Sequence, residues 1–187
     1  MINDLSNSSF RDSSGYVYRN TKGQLLRQIN QRYRSDYELL IASSLYKTLV
    51  EKGLLVPHQE LPHAEISGNE AFLVIAPKEI PYISFPYEWC FSQLKDAAIA
   101  TLKIQRIALE HGMSLKDASA YNLAFDGINP TFIDTLSFER YEQGTPWVAY
   151  RQFCQHFLAP LALMALKDLR FGKLSSQYLD GLPLDLA

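Results

Sequence analysis

The stretch that most constrains the fold runs from residue 92 to residue 138, where a helical pattern gives way to a polar loop and a hairpin. Apolar residues recur at helical spacing across residues 92–111, and Gly112 ends the pattern. Residues 122–134 then contain two short β-prone stretches, separated by turn-forming Asp, Gly, Asn and Pro. We therefore predict a long helix, a polar loop and a β-hairpin, in that order.

Three polar side chains lie in this loop and hairpin, at Asp117, Asn122 and Asp134. Because the outer ends of a hairpin lie side by side, we expect Asn122 to face Asp134. Mg²⁺ takes oxygen ligands and usually only one or two carboxylates, so this pair suits a magnesium site. Asp117 could then orient or deprotonate a hydroxyl that attacks a phosphoryl group. The alternative is that these residues cap helices and close turns.

The part of the chain before residue 92 has β-rich character with one helix. Residues 15–29 favour a hairpin, and residues 36–52 carry an apolar stripe at helical spacing that ends at Gly53. Residues 70–89 predict a buried strand, a break at Pro77, a short second strand and a turn at a further proline.

The pattern as a whole predicts an α+β protein with two lobes and a cleft between them. A last helix is predicted from Pro146, with Pro160 kinking it or ending its first half. The predicted divisions are a β-rich N-lobe over residues 1–84, a hinge over residues 85–91 and a helical C-lobe over residues 92–187.

Charge and hydropathy limit the classes of partner. The 187 residues carry a net charge of −2 and are 47% hydrophobic, so we expect a packed core and no general attraction to nucleic acid or to anionic lipid. No run of about 18 apolar residues occurs, which predicts a cytoplasmic protein without a membrane span. Cys90 and Cys154 lie in apolar surroundings without zinc-site spacing, which favours reduced thiols.

The segments LKDASAYNLAF and FIDTLSF resemble the catalytic loop and the metal-binding loop of the protein-kinase-like superfamily, which includes aminoglycoside phosphotransferases. The resemblance implies a two-lobe kinase-like fold with Mg²⁺ and ATP as possible cofactors. It implies a catalytic role for Asp117 and metal ligation by Asn122 and Asp134. It also makes residues 15–29 the first strands of the N-lobe and residues 36–52 its regulatory helix.

The nucleotide-binding half matches this superfamily less well. The resemblance implies that Arg27 pairs with Glu38, as a Lys and a Glu do in active kinases, and that Lys116 lies near a phosphate. A plain salt bridge is the alternative for the first pair, and a solvated loop residue for Lys116. The first hairpin lacks a multi-glycine loop, Leu115 replaces the usual His, and Leu136 replaces the usual Gly. These departures indicate a degenerate site.

A second likeness extends over most of the chain. Segments such as GQLLRQIN, YELLIASSLYKTLVEKGLLVPH and YRQFCQHFLAPLALMA resemble the N-terminal region of a bacterial nodulation-protein-related family. That family is linked to S-adenosylmethionine-dependent methyltransferases, so the resemblance implies a C-terminal methyltransferase domain in a longer protein. This chain shows no strand, Gly-rich turn and helix unit for S-adenosylmethionine, so methyl transfer would reside outside it.

Three functional hypotheses follow from these features. The leading one is a degenerate kinase-like module that binds a nucleotide or another small-molecule ligand. The first alternative is an active phosphotransferase that uses Mg²⁺ and ATP on a small molecule or sugar. The second alternative is a non-catalytic domain for protein interaction.

Overall fold

The fold mixes β-strands and helices, which confirms the predicted α+β class. The computed structural model describes residues 13–61 and 70–187. Residues 1–12 and 62–69, which belong to the predicted region 1–84, lie outside the described residues. The strands are β1 (Gly15–Arg19), β2 (Leu25–Asn30), β3 (His58–Glu60), β4 (Ala71–Pro77), β5 (Met113–Leu115), β6 (Leu123–Asp126), β7 (Asn129–Phe132) and β8 (Phe138–Arg140). The helices are α1 (Arg34–Ala42), α2 (Leu45–Glu51), α3 (Phe91–Glu110), α4 (Tyr150–Phe153) and α5 (Ala159–Leu166).

The main sheet has four antiparallel strands in the order β1-β2-β4-β3. The predicted first hairpin is confirmed, since β1 and β2 pair through a turn in which Gly23 has a φ of 78°. Strand β2 lies between two neighbours, so Arg27 is paired with Val17 on one side and with Ile75 on the other. Its backbone is therefore held from both sides.

Strand β1 passes so close to its neighbours that only glycine fits at its first position. A Cβ atom on Gly15 would stand 2.0 Å from the carbonyl oxygen of Gln28 and 2.9 Å from Cδ1 of Leu136. Leu136 belongs to the loop that follows β7, so this contact joins the sheet directly to the predicted metal-binding loop.

The single helix predicted over residues 36–52 is wrong, because the chain forms α1 and α2 with a break between them. Ser44 adopts a left-handed φ of 64°, and the hydroxyl of Ser43 accepts a hydrogen bond from Leu45 N at 3.4 Å. Serine side chains compete for backbone hydrogen bonds in this way, which favours a break within a helical pattern.

Helix α3 spans Phe91–Glu110, within one residue of the prediction at each end. A buried side chain on this helix, Gln105, holds the start of the polar loop. Its Oε1 accepts a hydrogen bond from Leu115 N at 2.8 Å, and its Nε2 donates to Ser114 Oγ at 3.0 Å. The helix thus fixes where the loop begins.

The short second strand predicted after Pro77 is wrong. Pro77 is the last residue of β4, and residues 78–85 form no strand. Pro81 lies within this segment and has no N–H for a strand ladder, and the carboxylate of Glu79 pairs instead with Arg19 of the first hairpin at 2.8 Å. The predicted turn at Pro86 is present as one turn of 3-10 helix, Pro86–Glu88.

The last helix begins at Tyr150 rather than at Pro146, and its turns are helical on both sides of Pro160. Between α4 and α5 the chain forms one π-helical segment, Cys154–Leu158. Proline lacks an N–H and so removes one hydrogen bond of the helix, and a π-helical turn allows the chain to continue as a helix past that missing bond. The carbonyl of Gln155 accepts a hydrogen bond from Leu182 N at 2.9 Å, so the C-terminal segment lies against this π-helical turn.

Three apolar clusters are buried among the described residues, and two of them join helices to strands. The larger one surrounds α3 and includes Leu40 and Leu49 of the first two helices and Phe132 of β7. The second packs Leu136 against residues of the sheet, of α1 and of the turn before α1, namely Ile29, Tyr33, Tyr37 and Ile75. Across the described ranges, no helix combines the length and the apolar character that crossing a membrane requires.

Candidate functional site

A cavity of about 500 Å³ lies between the main sheet and the loops that follow α3. Its apolar walls come from the sheet, from the loop before β3 and from the segment after β4, and they include Val17, Leu25, Val56, Ile75, Pro77, Ile80 and Ile83. Its polar lining includes Arg27, Asp117, Asn122 and Asp134. The three predicted catalytic and metal-binding residues therefore share one cavity.

The loop that carries Asp117 is held by hydrogen bonds on both sides of that residue. Lys116 N donates to Ser137 O at 2.9 Å, and Ala118 N donates to Gln152 Oε1 at 2.7 Å. Asp117 Oδ1 accepts a hydrogen bond from the N–H of residue 119 at 2.9 Å, which forms a local turn. Asp117 therefore closes a local turn, as the alternative prediction has it, and also lines the cavity.

The hairpin of β6 and β7 brings Asn122 next to Asp134. Ile133 N donates to Asn122 O at 2.8 Å, which closes the base of the hairpin. Asn122 Nδ2 donates to Ser137 Oγ at 3.3 Å, and Ser137 Oγ donates in turn to Asp134 Oδ2 at 2.8 Å. The amide and the carboxylate are therefore linked through one hydroxyl.

Asp134 forms an ion pair with Arg27 across the cavity. The distance from Arg27 Nη1 to Asp134 Oδ1 is 2.7 Å, and the two side chains are only 11% and 17% exposed. The same Oδ1 accepts a hydrogen bond from Leu136 N at 2.9 Å. Arg27 reaches this position because it shares a face of β2 with Leu25, two residues earlier.

The predicted pair between Arg27 and Glu38 is wrong. Glu38 lies one turn into α1 and pairs instead with Arg34, at 2.7 Å, with both side chains more than half exposed. Since α1 begins at Arg34, the i,i+4 spacing brings these two side chains together on the solvent-facing side of the helix. Glu38 does not line the cavity.

Lys116 contacts residues next to the main sheet and does not line the cavity. Its ammonium donates to Ser14 Oγ at 3.0 Å and lies 4.5 Å from the centroid of the Tyr33 ring. These contacts join the start of β1 to the loop before Asp117. The role of Lys116 in nucleotide binding remains a prediction.

The residues at Asp134 do not fit a magnesium ion in the arrangement that the structure shows. Both carboxylate oxygens of Asp134 accept hydrogen bonds, and the Arg27 guanidinium lies where a cation would approach. Asn122 turns its amide nitrogen toward Ser137. Within residues 13–61 and 70–187, no group of three or more His, Cys, Asp or Glu side chains could hold a metal ion.

Two further ion pairs lie at the rim of the cavity. Arg19 pairs with Glu79 at 2.8 Å, and Lys78 pairs with Asp126 at 2.6 Å. The hydrogen bond from Arg19 lowers the pKa of the Glu79 carboxyl. Sequence reasoning missed these pairs and the one at Arg27, because the partners lie far apart in the chain and no local spacing signals them.

Tyr121 and His156 adjoin Asp117 and were not predicted as site residues. Tyr121 lines the cavity, and the imidazole of His156 stands edge-on to its ring with 6.1 Å between centroids. Burial lowers the pKa of His156, although the nearby Asp117 carboxylate opposes this effect. The signal that could have found His156 is the Pro160 within its helix, which indicates an irregular turn.

Comparison with known proteins gives one strong sequence match. No family model matches the chain. The chain is similar to the nodulation protein NoeA of Rhizobium meliloti (strain 1021), with 36% identity over 178 residues that cover 94% of this chain. It spans only 37% of the length of that relative. Among solved structures, the chain is similar to vaccinia related kinase 3, with a TM-score of 0.46 and 15% identity over 75% of this chain and 49% of that one.

Proposed function

We propose that this chain has a two-lobe, protein-kinase-like fold and acts as a degenerate kinase-like module that binds a nucleotide or a nucleotide-like ligand between its lobes. The resemblance of the segments at Asp117 and Asp134 to kinase loops supports the proposal. The order of sheet, long helix, loop and hairpin along the chain is consistent with it.

The observation that carries the proposal is that aliphatic and charged side chains line one cavity. The aliphatic residues include Ile80 and Ile83, and the polar ones include Asp117, Asn122 and the Arg27–Asp134 pair. A nucleotide also combines a flat, largely apolar base with a charged phosphate chain. The volume of about 500 Å³ lies in the range of small-molecule sites.

Several features favour binding over phosphoryl transfer. The Asp134 carboxylate is already paired with Arg27, so it is not available to a metal ion in this arrangement. The first hairpin has no multi-glycine loop to surround phosphates. We therefore expect the cavity to hold its ligand without turnover, and we assign no catalytic step to Asp117.

We also propose that the chain is one module of a longer nodulation-related protein, since the relative that it matches is much longer than this chain. In this proposal a separate, C-terminal domain performs methyl transfer. The module described here would then provide ligand binding to that protein.

A melting experiment tests the ligand proposal. We expect ADP and ATP to raise the melting temperature, and a ligand at ten times its Kd stabilises a protein by about 1.4 kcal/mol. That free energy corresponds to a shift of about 4 °C for a domain of this size. S-adenosylmethionine should give no shift, because its domain would lie elsewhere.

Matched variants show whether the shift comes from the cavity. Ile83 lines the cavity and is 43% exposed, whereas Ile99 on α3 is 42% exposed and does not line it. Ile83→Asp should reduce the nucleotide-induced shift, and Ile99→Asp should leave it unchanged. Equal effects of the two substitutions would contradict the proposal.

The two alternative functions predict different results for the same protein. Release of phosphate from ATP in the presence of Mg²⁺, lost in Asp117→Asn, would favour an active phosphotransferase. Absence of any nucleotide-induced shift would favour a protein-interaction domain.

A further inference from the structure

We propose that the Arg27 guanidinium takes the place of a divalent cation at Asp134, so that the cleft binds its ligand in metal-free form. The inference has two parts. The first, that Arg27 excludes a metal ion from Asp134, concerns the protein alone and can be measured without any nucleotide. The second, that the ligand binds in metal-free form, rests on the proposed ligand-binding function.

The contact between Arg27 and Asp134 is short and shielded from solvent. Its nitrogen to oxygen distance is 2.7 Å, and the side chains are 11% and 17% exposed. Dissolved salt screens such a pair much less than it screens the pairs at the cavity rim. A hydrogen bond between two charged groups is also among the stronger ones in proteins. The guanidinium is therefore a persistent neighbour of the carboxylate.

Two further acceptor positions on Asp134 are also used. Oδ1 accepts from Leu136 N at 2.9 Å, and Oδ2 accepts from Ser137 Oγ at 2.8 Å. A carboxylate offers about four lone-pair positions in total. A magnesium ion would have to displace the guanidinium and would then place a dication beside a buried cation.

Neither partner can move away easily, because each belongs to a packed element. Arg27 lies on β2, which is bonded to β1 on one side and to β4 on the other. Leu136, two residues after Asp134, is buried in the cluster formed with the sheet and α1. By contrast, the rim pair of Arg19 and Glu79 is 51% and 45% exposed. The packing around Arg27 and Asp134 thus holds the two side chains in contact.

A consequence for the ligand follows from Coulomb's law. At Asp134, the Mg²⁺ of a metal–nucleotide complex would bring two further positive charges beside the Arg27 guanidinium, which is unfavourable where both side chains are shielded from solvent. A metal-free nucleotide brings only negative charge. The metal-free form is therefore the one that the site should prefer.

Binding of Mn²⁺, followed by electron paramagnetic resonance, tests the assignment, since Mn²⁺ prefers the same hard oxygen ligands as Mg²⁺. We expect no Mn²⁺ binding that depends on Asp134 in the unmodified protein. Arg27→Met should bind Mn²⁺ with a Kd at least about tenfold below that of any residual Mn²⁺ binding by the unmodified protein, and Arg27→Met combined with Asp134→Asn should lose that gain. Failure of Arg27→Met to gain affinity would overturn the assignment.

The unmodified protein provides a second measurement that does not require Arg27→Met to fold. Binding of Mn²⁺ by the unmodified protein that is lost in Asp134→Asn would overturn the assignment, and its absence supports it. For the ligand, the nucleotide-induced melting shift should be at least as large in EDTA as in Mg²⁺. If no nucleotide binds but Asp134 excludes Mn²⁺ as expected, then the proposed ligand is wrong and the role of Arg27 stands.

Discussion

At the scale of single residues, His58 at the start of β3 is held in one protonation state by its surroundings. Tyr37 O–H donates to Glu60 Oε1 at 2.7 Å, so His58 Nε2–H is the donor to the Tyr37 oxygen at 2.9 Å. His58 Nδ1 is buried and has no hydrogen-bond partner among the residues that the structure describes. Burial lowers the pKa of His58 to about 4, although the nearby Glu60 opposes the shift.

This shift predicts loss of stability in mild acid. The unfolded chain binds a proton at His58 near its ordinary pKa of about 6.5, whereas the folded protein resists it until about pH 4. Lowering the pH from 7 to 5 should therefore reduce the free energy of unfolding by about 2 kcal/mol through this residue. Urea unfolding at both pH values measures the change.

A variant separates this contribution from that of the carboxylates. His58→Phe removes the titrating group while keeping a ring of similar width at the site. Its free energy of unfolding should fall less between pH 7 and pH 5 than that of the unmodified protein. An identical fall in the two proteins would show that His58 does not account for the acid sensitivity.

At the scale of secondary-structure elements, the break between α1 and α2 is a feature whose energy can be tested. Ser44 adopts a φ of 64°, which costs an L-residue about 1 kcal/mol, whereas Ser43 has an ordinary helical φ of −71°. Ser44→Gly should therefore raise the free energy of unfolding by about 0.5 kcal/mol, and Ser43→Gly should lower it by a similar amount. Thermal or urea unfolding of both variants measures the difference. A change in the free energy of unfolding with the same sign for both would contradict the conclusion that Ser44 is strained.

Comparison of the predicted and observed elements shows which features of the fold and of the site follow from local sequence. The first hairpin and α3 follow from local patterns, because turn residues and apolar spacing act within one element. The α1–α2 break was missed because serine is compatible with a helix, and only the geometry at Ser44 reveals the difference. Asn122 was predicted to face Asp134 because a hairpin alone brings them together. The partner of Arg27 was predicted incorrectly, since the choice between Glu38 and Asp134 depends on how the sheet packs on the loops.

At the scale of the whole molecule, three ion pairs surround one cavity but differ in burial. The pair of Lys78 and Asp126 is 52% and 42% exposed, whereas the pair of Arg27 and Asp134 is 11% and 17% exposed. Exposed pairs contribute little because water and salt screen them, and a buried charge that loses its partner is costly.

This difference predicts unequal effects of removing each cation. Lys78→Ala should lower the free energy of unfolding by less than about 1 kcal/mol. Arg27→Met should lower it by about 3 to 5 kcal/mol, because Asp134 would remain buried without its cation. Urea unfolding of the two variants compares the pairs. A similar, small effect of both substitutions would show that the Arg27–Asp134 pair does not stabilise the folded protein more than the exposed pair does.

Leu136 has a consequence for how this site can be regulated. Its side chain is 1% exposed in the cluster beneath the sheet, two residues after Asp134. Swinging the loop outward would expose this side chain to water at a cost of about 2 kcal/mol, which by itself limits an open conformer to a few per cent of molecules, and loss of the Arg27–Asp134 pair would lower that population further. The loop therefore has one dominant resting state. A signal that changes it must supply binding energy from a ligand or a partner, because thermal motion alone leaves the population almost entirely closed.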